Sequence, residues 1–151
     1  MNRREFVGSA GAVLVAGLAQ SATPTATDAD DVKRAIADNY TFYSRADVER
    51  YRATLASDYV LLEHGALMGL ADDEENMKTR PPGFKRTDAF DFRSVTIEGT
   101  LAFAVYFLTS DIADDKGPRR MRWLESAILR RSDRGWLLAL LHSTRIEKPA
   151  A

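Results

Sequence analysis

The stretch LRRSDRGWLLALLHST, residues 129–144, contains the clearest fold signal of the sequence. Its tetrapeptide SDRG is typical of a hairpin loop, and the apolar run that follows predicts a strand. Both alternating sets of side chains in this strand are apolar, which indicates that both of its faces are covered. We expect helices to cover one face and a second subunit to cover the other, so the sequence predicts a homodimer. The alternative is a C-terminal segment that crosses within one chain.

The residues before this stretch predict an antiparallel sheet that follows two helices. Residues 89–99 and 101–112 are β-rich and meet at the hairpin signal EGT, and residues 120–131 lead into the last hairpin. Residues 59–62 and 67–70 predict two short strands, and residues 71–78 a small helix. Two earlier segments have helical spacing, the first capped by Asp28 or Asp30 and the second starting at Asp47. Their apolar positions are Val32, Ile36, Tyr40 and Tyr43 in the first segment and Val48, Tyr51 and Leu55 in the second. Helices grouped at one end of an antiparallel sheet predict an α+β fold.

The first thirty residues have the composition of a targeting segment. Arg3 and Arg4 precede an apolar run over residues 6–19, and small residues follow at 19–22. The stretch RREFV resembles a twin-arginine export signal; a Sec signal and a buried N-terminal helix are the alternatives. We expect a signal peptide over residues 1–22, a tether over 23–30 and one domain over 31–147. The mature protein is then periplasmic or secreted, with no membrane segment.

Composition excludes several classes of function. A chain of 151 residues suits one domain, and a net charge of −1 gives no basic face for nucleic acid. There is no cysteine, so the chain has no disulfide and no thiol nucleophile. Two histidines supply few ligands for a metal site. We expect neither a metal nor another cofactor.

Three stretches together resemble the nuclear transport factor 2-like superfamily, specifically its SnoaL-like and domain-of-unknown-function 4440 branches. They are ASDYVLLEHG at 56–65, LRRSDRGW at 129–136 and LLHST at 140–144. The resemblance implies a cone-shaped, curved antiparallel sheet wrapped around the N-terminal helices, with an apolar pocket at its wide end. Members include ketosteroid isomerases, polyketide cyclases, dehydratases, epoxide hydrolases and plain binding or assembly domains, so the fold does not decide the chemistry.

Counting outward from the last hairpin gives the first candidate site. An unbroken ladder places Glu125 opposite His142 and Trp123 opposite Thr144, on the face that also carries Trp136. A carboxylate beside an imidazole is an acid–base unit, because the carboxylate favours the protonated ring. The alternative is a buried pair whose members only satisfy each other. A one-residue bulge in the loop, at residue 133, would break this pairing.

His64 and Tyr59 extend the candidate site to the first long strand. His64 ends that strand and is predicted at the mouth of the pocket, where it would act with His142; a strand-end histidine bonded to the turn backbone is the alternative. A metal site from these two histidines with Glu63 and Glu125 is not expected, because no close-spaced ligand pair is present.

Four tyrosines, at positions 40, 43, 51 and 59, are predicted where the helices and first strand meet the sheet. A tyrosine hydroxyl there would donate to a ligand carbonyl, although core packing is the ordinary role of such residues.

The sequence as a whole predicts an exported domain that binds a small apolar or aromatic molecule. The predicted lining is His142, Glu125, Trp123, His64 and Thr144. The alternative is an isomerase, dehydratase or cyclase in which His142 moves a proton, Glu125 orients it, and Tyr59 or His64 polarises a carbonyl oxygen. A non-catalytic dimerisation module with a filled pocket is the third possibility.

Overall fold

The computed structural model describes residues 26–146. In chain order its elements are α1 (Ala26–Ser44), α2 (Val48–Ala53), β1 (Leu55–Glu63), β2 (Ala66–Met68), α3 (Leu70–Lys78), β3 (Lys85–Glu98), β4 (Leu101–Asp114), β5 (Gly117–Ser132) and β6 (Gly135–Arg145).

The N-terminal boundary differs from the predicted one. The expected signal peptide and residues 23–25 of the expected tether lie outside the described residues. Residues 26–30 belong to α1, so the prediction of a tether was wrong for this part, as was the prediction that Asp28 or Asp30 caps the helix. The carboxylate of Asp28 accepts a hydrogen bond from Arg131 on β5, which holds the start of the helix to the sheet.

The helices cover one face of the sheet with their apolar residues. Val32, Ile36 and Tyr40 of α1 recur every four positions and are buried, as their spacing predicts.

No helix within residues 26–146 combines the length and the apolar character that a membrane-crossing helix requires.

The second helix is shorter than predicted. Asp47 caps α2 by accepting a hydrogen bond of 3.2 Å from the N–H of Arg50. Leu55, which was expected on this helix, begins β1 instead. The chain leaves the helix at this point because the carbonyl of Thr54 accepts a hydrogen bond of 2.9 Å from the N–H of Leu138 and so joins the sheet.

The six strands form one curved sheet in the order β2-β1-β6-β5-β4-β3. Strands β3 to β6 form the predicted antiparallel meander, and β1 runs parallel to β6. Gly99 lies in the first of the three hairpin turns of this meander and Gly135 follows the third, with φ angles of 60° and 99°, a backbone region that glycine adopts without steric cost. The predicted α+β fold class is therefore confirmed.

The two faces of the sheet are clearly distinguished in β4 and β5, where buried and exposed residues alternate. The inner face packs against the helices. The outer face carries large apolar side chains that are 36–50% exposed, namely Leu101, Phe103, Leu124 and Ile128. We call these four residues the outer apolar face.

Strand β6 contains one extra residue, Ala139. Leu129 lies opposite Leu138, but Ile128 lies opposite Leu140, so Ala139 has no partner on β5. Such a bulge moves every later side chain to the other face of the sheet.

This bulge makes the predicted pairing wrong beyond it. Glu125 lies opposite Ser143, and His142 lies opposite Ser126. The predicted register is correct only in the part next to the hairpin, where Leu129 meets Leu138.

Candidate functional site

The helices and the inner face of the sheet surround a cavity with a volume of about 80 Å³. Aromatic side chains from four different elements form much of its wall: Tyr40, Tyr43, Tyr51, Tyr59 and Trp123. Ionisable side chains are placed among these rings, namely Glu63, Asp73, Arg86 and Glu125. The cavity therefore combines apolar surface with convergent polar groups, which is the usual character of a small-molecule site.

Glu125 is the carboxyl group on the sheet side of the cavity. It is 3% exposed, and it accepts hydrogen bonds from the Tyr40 hydroxyl (2.6 Å, to Oε2) and the Ser143 hydroxyl (2.7 Å, to Oε1). Burial raises the pKa of Glu125, and these hydrogen bonds oppose the rise without cancelling it. The carboxyl group consequently keeps its proton to a higher pH than a glutamate in water.

Tyr106 lies opposite Glu125 on β4. Its side chain is fully buried, and its hydroxyl has no hydrogen-bond partner among the residues that the structure describes. Burial, followed by the charge of Glu125, raises the pKa of Tyr106 far above its ordinary value. This phenol is therefore neutral.

Asp73 is the carboxyl group on the helical side of the cavity. It lies in the first turn of α3, is 3% exposed, and accepts a hydrogen bond of 2.7 Å from the Tyr51 hydroxyl. Burial raises the pKa of Asp73 to about 6, although the hydrogen bond from Tyr51 acts in the opposite direction. The Asp73 carboxyl is thus half ionised near pH 6 and mostly ionised at neutral pH, where it can act as a general base.

Tyr59 on β1 lines the cavity beside this pair. Burial raises its pKa, and the neighbouring Asp73 carboxylate raises it further. Tyr59 therefore remains protonated and is a hydrogen-bond donor in the cavity wall.

Arg86 supplies a positive charge to the same cavity. Its side chain is 12% exposed, and its Nε donates to both carboxylate oxygens of Asp88, at 2.8 and 3.1 Å. Burial lowers the pKa of Arg86, but the charge and hydrogen bond of Asp88, together with Tyr40 and Tyr43, more than compensate, so the pKa is raised. The guanidinium group therefore stays charged.

The structure brings only some of the predicted site residues together. Glu125, Trp123 and Tyr59 line the cavity. His142 and Thr144 are exposed on the opposite face of the sheet, because the bulge at Ala139 shifts them there. The predicted pair of Glu125 with His142 does not form.

His64 also lies away from the cavity. Its side chain is 61% exposed, and its backbone has a φ of 51° in the turn between β1 and β2. The nearest acidic group is Glu63, with an Nε2–Oε1 distance of 3.8 Å. Among residues 26–146, no group of three or more His, Asp or Glu side chains could hold a metal ion.

Sequence reasoning missed Asp73, Arg86 and Ser143 as site residues. A signal existed for Arg86, because regular alternation places it on the same face of β3 as the aromatic residues Phe90 and Phe92. Asp73 is one of four consecutive acidic residues, DDEE at 72–75, and the sequence gives no indication of which one points inward.

Comparison with known proteins identifies the family. The sequence profile of the SnoaL-like domain matches residues 32–145. A comparison with curated proteins found no match.

Several solved structures share the fold. A ketosteroid isomerase-like protein from Erwinia carotovora atroseptica has a TM-score of 0.66 and 19% identity, covering 82% of this chain and 100% of that chain. The CaMKII hub of S. rosetta has a TM-score of 0.68 and 21% identity, with 82% and 100% covered. A nuclear transport factor 2-like superfamily protein from Salmonella enterica serovar Typhimurium has a TM-score of 0.70 and 14% identity, with 84% and 96% covered.

The predicted resemblance to the nuclear transport factor 2-like superfamily is thus confirmed for the fold. The SnoaL-like match spans the helices and strands that surround the cavity. The chain therefore belongs to the SnoaL-like domain family.

Proposed function

We propose that this protein binds a small carbonyl compound in its cavity and isomerises it by proton transfer. The observation that supports this most directly is the Asp73 carboxyl group, which is buried in the cavity wall with a pKa of about 6. Buried carboxyls with raised pKa values are typical of proton-transfer sites. The ring-lined cavity suits an apolar or aromatic body, as the sequence predicts.

In the proposed reaction, the Asp73 carboxylate removes a proton from the carbon next to the carbonyl group. The electron pair of that C–H bond moves toward oxygen and forms an enolate. Tyr59 donates a hydrogen bond to the enolate oxygen, which stabilises its developing charge. Asp73 then returns the proton to a different carbon, so atoms and electrons balance and the double bond has moved.

This assignment differs from the roles expected for the histidines. His142 and His64 lie outside the cavity, so Asp73 takes the place of His142 as the group that moves the proton. Tyr59 keeps its predicted role at the carbonyl oxygen, and Glu125 keeps its place in the cavity wall. One structural neighbour is by name a ketosteroid isomerase-like protein, which agrees with the proposal.

The proposal is tested with 3-cyclopentenone, a small ketone whose isomerisation to 2-cyclopentenone is followed by ultraviolet absorbance. We expect the wild-type protein to accelerate this reaction and Asp73→Asn to slow it about a hundredfold or more. Asp111→Asn is the matched control, because Asp111 is exposed and paired with Arg120. No acceleration by the wild type, or full activity in Asp73→Asn, would contradict the proposal.

We further propose that two copies associate through the outer apolar face. Phe103 and Ile128 of this face lie side by side on neighbouring strands, and both are exposed in the single chain. Adjacent exposed apolar side chains of this kind usually mark an interface. One structural neighbour is a hub domain, which fits association between copies.

Export through the twin-arginine route is also a proposal, supported by Arg3, Arg4 and Phe6 ahead of an apolar segment. A fusion of residues 1–30 to a reporter should reach the periplasm. Replacement of both arginines by lysine should retain the reporter inside the cell, and periplasmic reporter in that variant would contradict twin-arginine export.

A further inference from the structure

Arg86 brings a charged group with unused hydrogen-bond donors into the cavity wall. We propose that the ligand carries a carboxylate group and that Arg86 binds it, an inference that rests on the proposed function and specifies its substrate as a short keto acid.

The position of the guanidinium group is the first observation. Arg86 lines the cavity, and its Cζ lies 5.3 Å from the ring centre of Tyr40, 5.6 Å from that of Trp123 and 5.8 Å from that of Tyr43. Three of the aromatic residues that line the cavity therefore surround the charge. Their faces attract a cation and hold the side chain in place.

Asp88 fixes the orientation of the Arg86 side chain. Its carboxylate accepts hydrogen bonds from the hydroxyl groups of Ser110 and, at 3.1 Å, Ser44, in addition to the Nε of Arg86. A carboxylate held by three donors is a rigid support. The arginine side chain is consequently ordered before any ligand arrives.

The donors that remain are the second observation. A guanidinium group has five N–H donors, and of those on Arg86 only the Nε–H donates to Asp88. Within residues 26–146, neither Nη1 nor Nη2 of Arg86 donates a hydrogen bond to a protein group. The Arg86 side chain is only 12% exposed and lines the cavity, so a ligand in the cavity can accept hydrogen bonds from these donors.

A carboxylate is the partner that fits this arrangement. The two Nη groups present parallel N–H bonds that match the two oxygens of a carboxylate. A phosphate is less suitable, because it carries close to two negative charges and the same cavity holds the carboxyl groups of Asp73 and Glu125. Arg86 and Asp73 both line this cavity, so the proposed keto acid would place its carboxylate at Arg86 and its carbonyl end toward Asp73.

The test uses 4-oxopentanoate and its methyl ester, which differ only in the charge of the carboxyl end. Binding to the full wild-type protein is measured by titration of backbone amide signals in NMR. We expect the acid to bind about tenfold or more tightly than the ester. Inorganic phosphate should bind more weakly than the acid.

The variants address Arg86 directly. Because Arg86→Gln alone leaves Asp88 without its cation, the double variant Arg86→Gln/Asp88→Asn is used with it. We expect the preference for the acid to disappear in both. Arg120→Gln, which breaks an exposed pair with Asp111, is the matched control and should keep the preference.

Three results would overturn the inference: the ester binds as tightly as the acid, the preference survives in the double variant, or neither compound binds the wild type at millimolar concentration. Failure of the proposed isomerisation is distinguishable from these results. Asp73→Asn should still prefer the acid. If the wild type binds the acid through Arg86 but turns over no ketone, only the proposed isomerisation is refuted, and the inference about Arg86 stands.

Discussion

The hydroxyl group of Tyr40 donates a hydrogen bond of 2.6 Å to Oε2 of Glu125, which lies 85 residues further along the chain. This bond joins α1 to the inner face of β5 at the cavity. It also satisfies one oxygen of a carboxyl group that is 3% exposed. The bond therefore holds α1 against the sheet and lowers the pKa of Glu125.

Loss of the Tyr40 hydroxyl should destabilise the protein. Tyr40→Phe leaves Oε2 of buried Glu125 without a partner, so we expect the free energy of unfolding to fall by about 1–3 kcal/mol. The pKa of Glu125 should rise, because the hydrogen bond from Tyr40 lowers it. Urea unfolding and carbon-13 NMR of the carboxyl group measure the two effects.

Tyr106→Phe is the matched control for this variant. The Tyr106 hydroxyl is buried without a partner among the described residues, so its removal relieves an unsatisfied group. We expect a free energy of unfolding equal to that of the wild type or slightly higher. A loss as large as that of Tyr40→Phe would show that the Tyr106 hydroxyl makes a stabilising bond.

Asp73 should make the stability of the protein depend on pH. Its folded-state pKa of about 6 lies above the ordinary value of 3.8. The folded protein therefore binds a proton that the unfolded chain releases, and stability falls as pH rises from about 4 to above 6. At about 1.4 kcal/mol per pKa unit, the loss at neutral pH approaches 3 kcal/mol.

Asp73→Asn removes this titration. Urea unfolding at several pH values between about 4 and 7 should show the variant gaining stability relative to the wild type as pH rises. A constant difference between the two proteins across this interval would mean that the pKa of Asp73 is not raised by folding. Asp111→Asn should not reproduce the gain, because the hydrogen bond from Arg120 lowers the pKa of Asp111.

The rate of the proposed isomerisation should follow the ionisation of Asp73. A base acts only when it is unprotonated, so the rate should rise about tenfold per pH unit below a pKa near 6 and level off above it. Tyr51→Phe should move this limb to higher pH, because the hydrogen bond from Tyr51 lowers the pKa of Asp73. An unchanged limb in Tyr51→Phe would exclude Asp73 as the group that titrates.

Phe103→Asp should prevent association through the outer apolar face. The charge would lie between the two copies, whereas in a single chain this side chain is 45% exposed and the fold should survive. We expect light scattering after size-exclusion chromatography to give a dimer for the wild type and a monomer for the variant. Leu67→Asp, at an isolated site that is 76% exposed, should remain dimeric. A monomeric wild type, or a dimeric Phe103→Asp, would contradict the proposed interface.

Most of the fold could be predicted from local signals in the sequence. Alternating side chains identify β4 and β5, and Gly99 and Gly135 mark two of the three turns that join the strands of the meander. Each of these signals acts over a few residues, so the sequence alone is sufficient. The end of α2 could not be predicted, because it depends on a hydrogen bond between Thr54 and the distant Leu138.

The site could be predicted only in part. Alternation along β5 places Trp123 and Glu125 on one face, and both line the cavity. Packing of α3 decides that Asp73, rather than its exposed neighbour Asp72, is buried, and no sequence period carries that information. The residue opposite Glu125 on β6 could not be predicted either, because β6 is apolar on both sides and fits either register equally well.

Ala139 makes the chemistry of the cavity depend on the length of β6 rather than on the identity of any residue in the wall. Insertion of one residue between Ala139 and His142, with the bulge retained, would shift the pairing with β5 by one position and exchange the Ser143 hydroxyl beside Glu125 for the imidazole of His142. The sheet would keep its strands and its hydrogen-bond ladder. A three-nucleotide insertion or deletion is thus a route by which descendants of one ancestral gene acquire different reactive groups while inheriting the same scaffold.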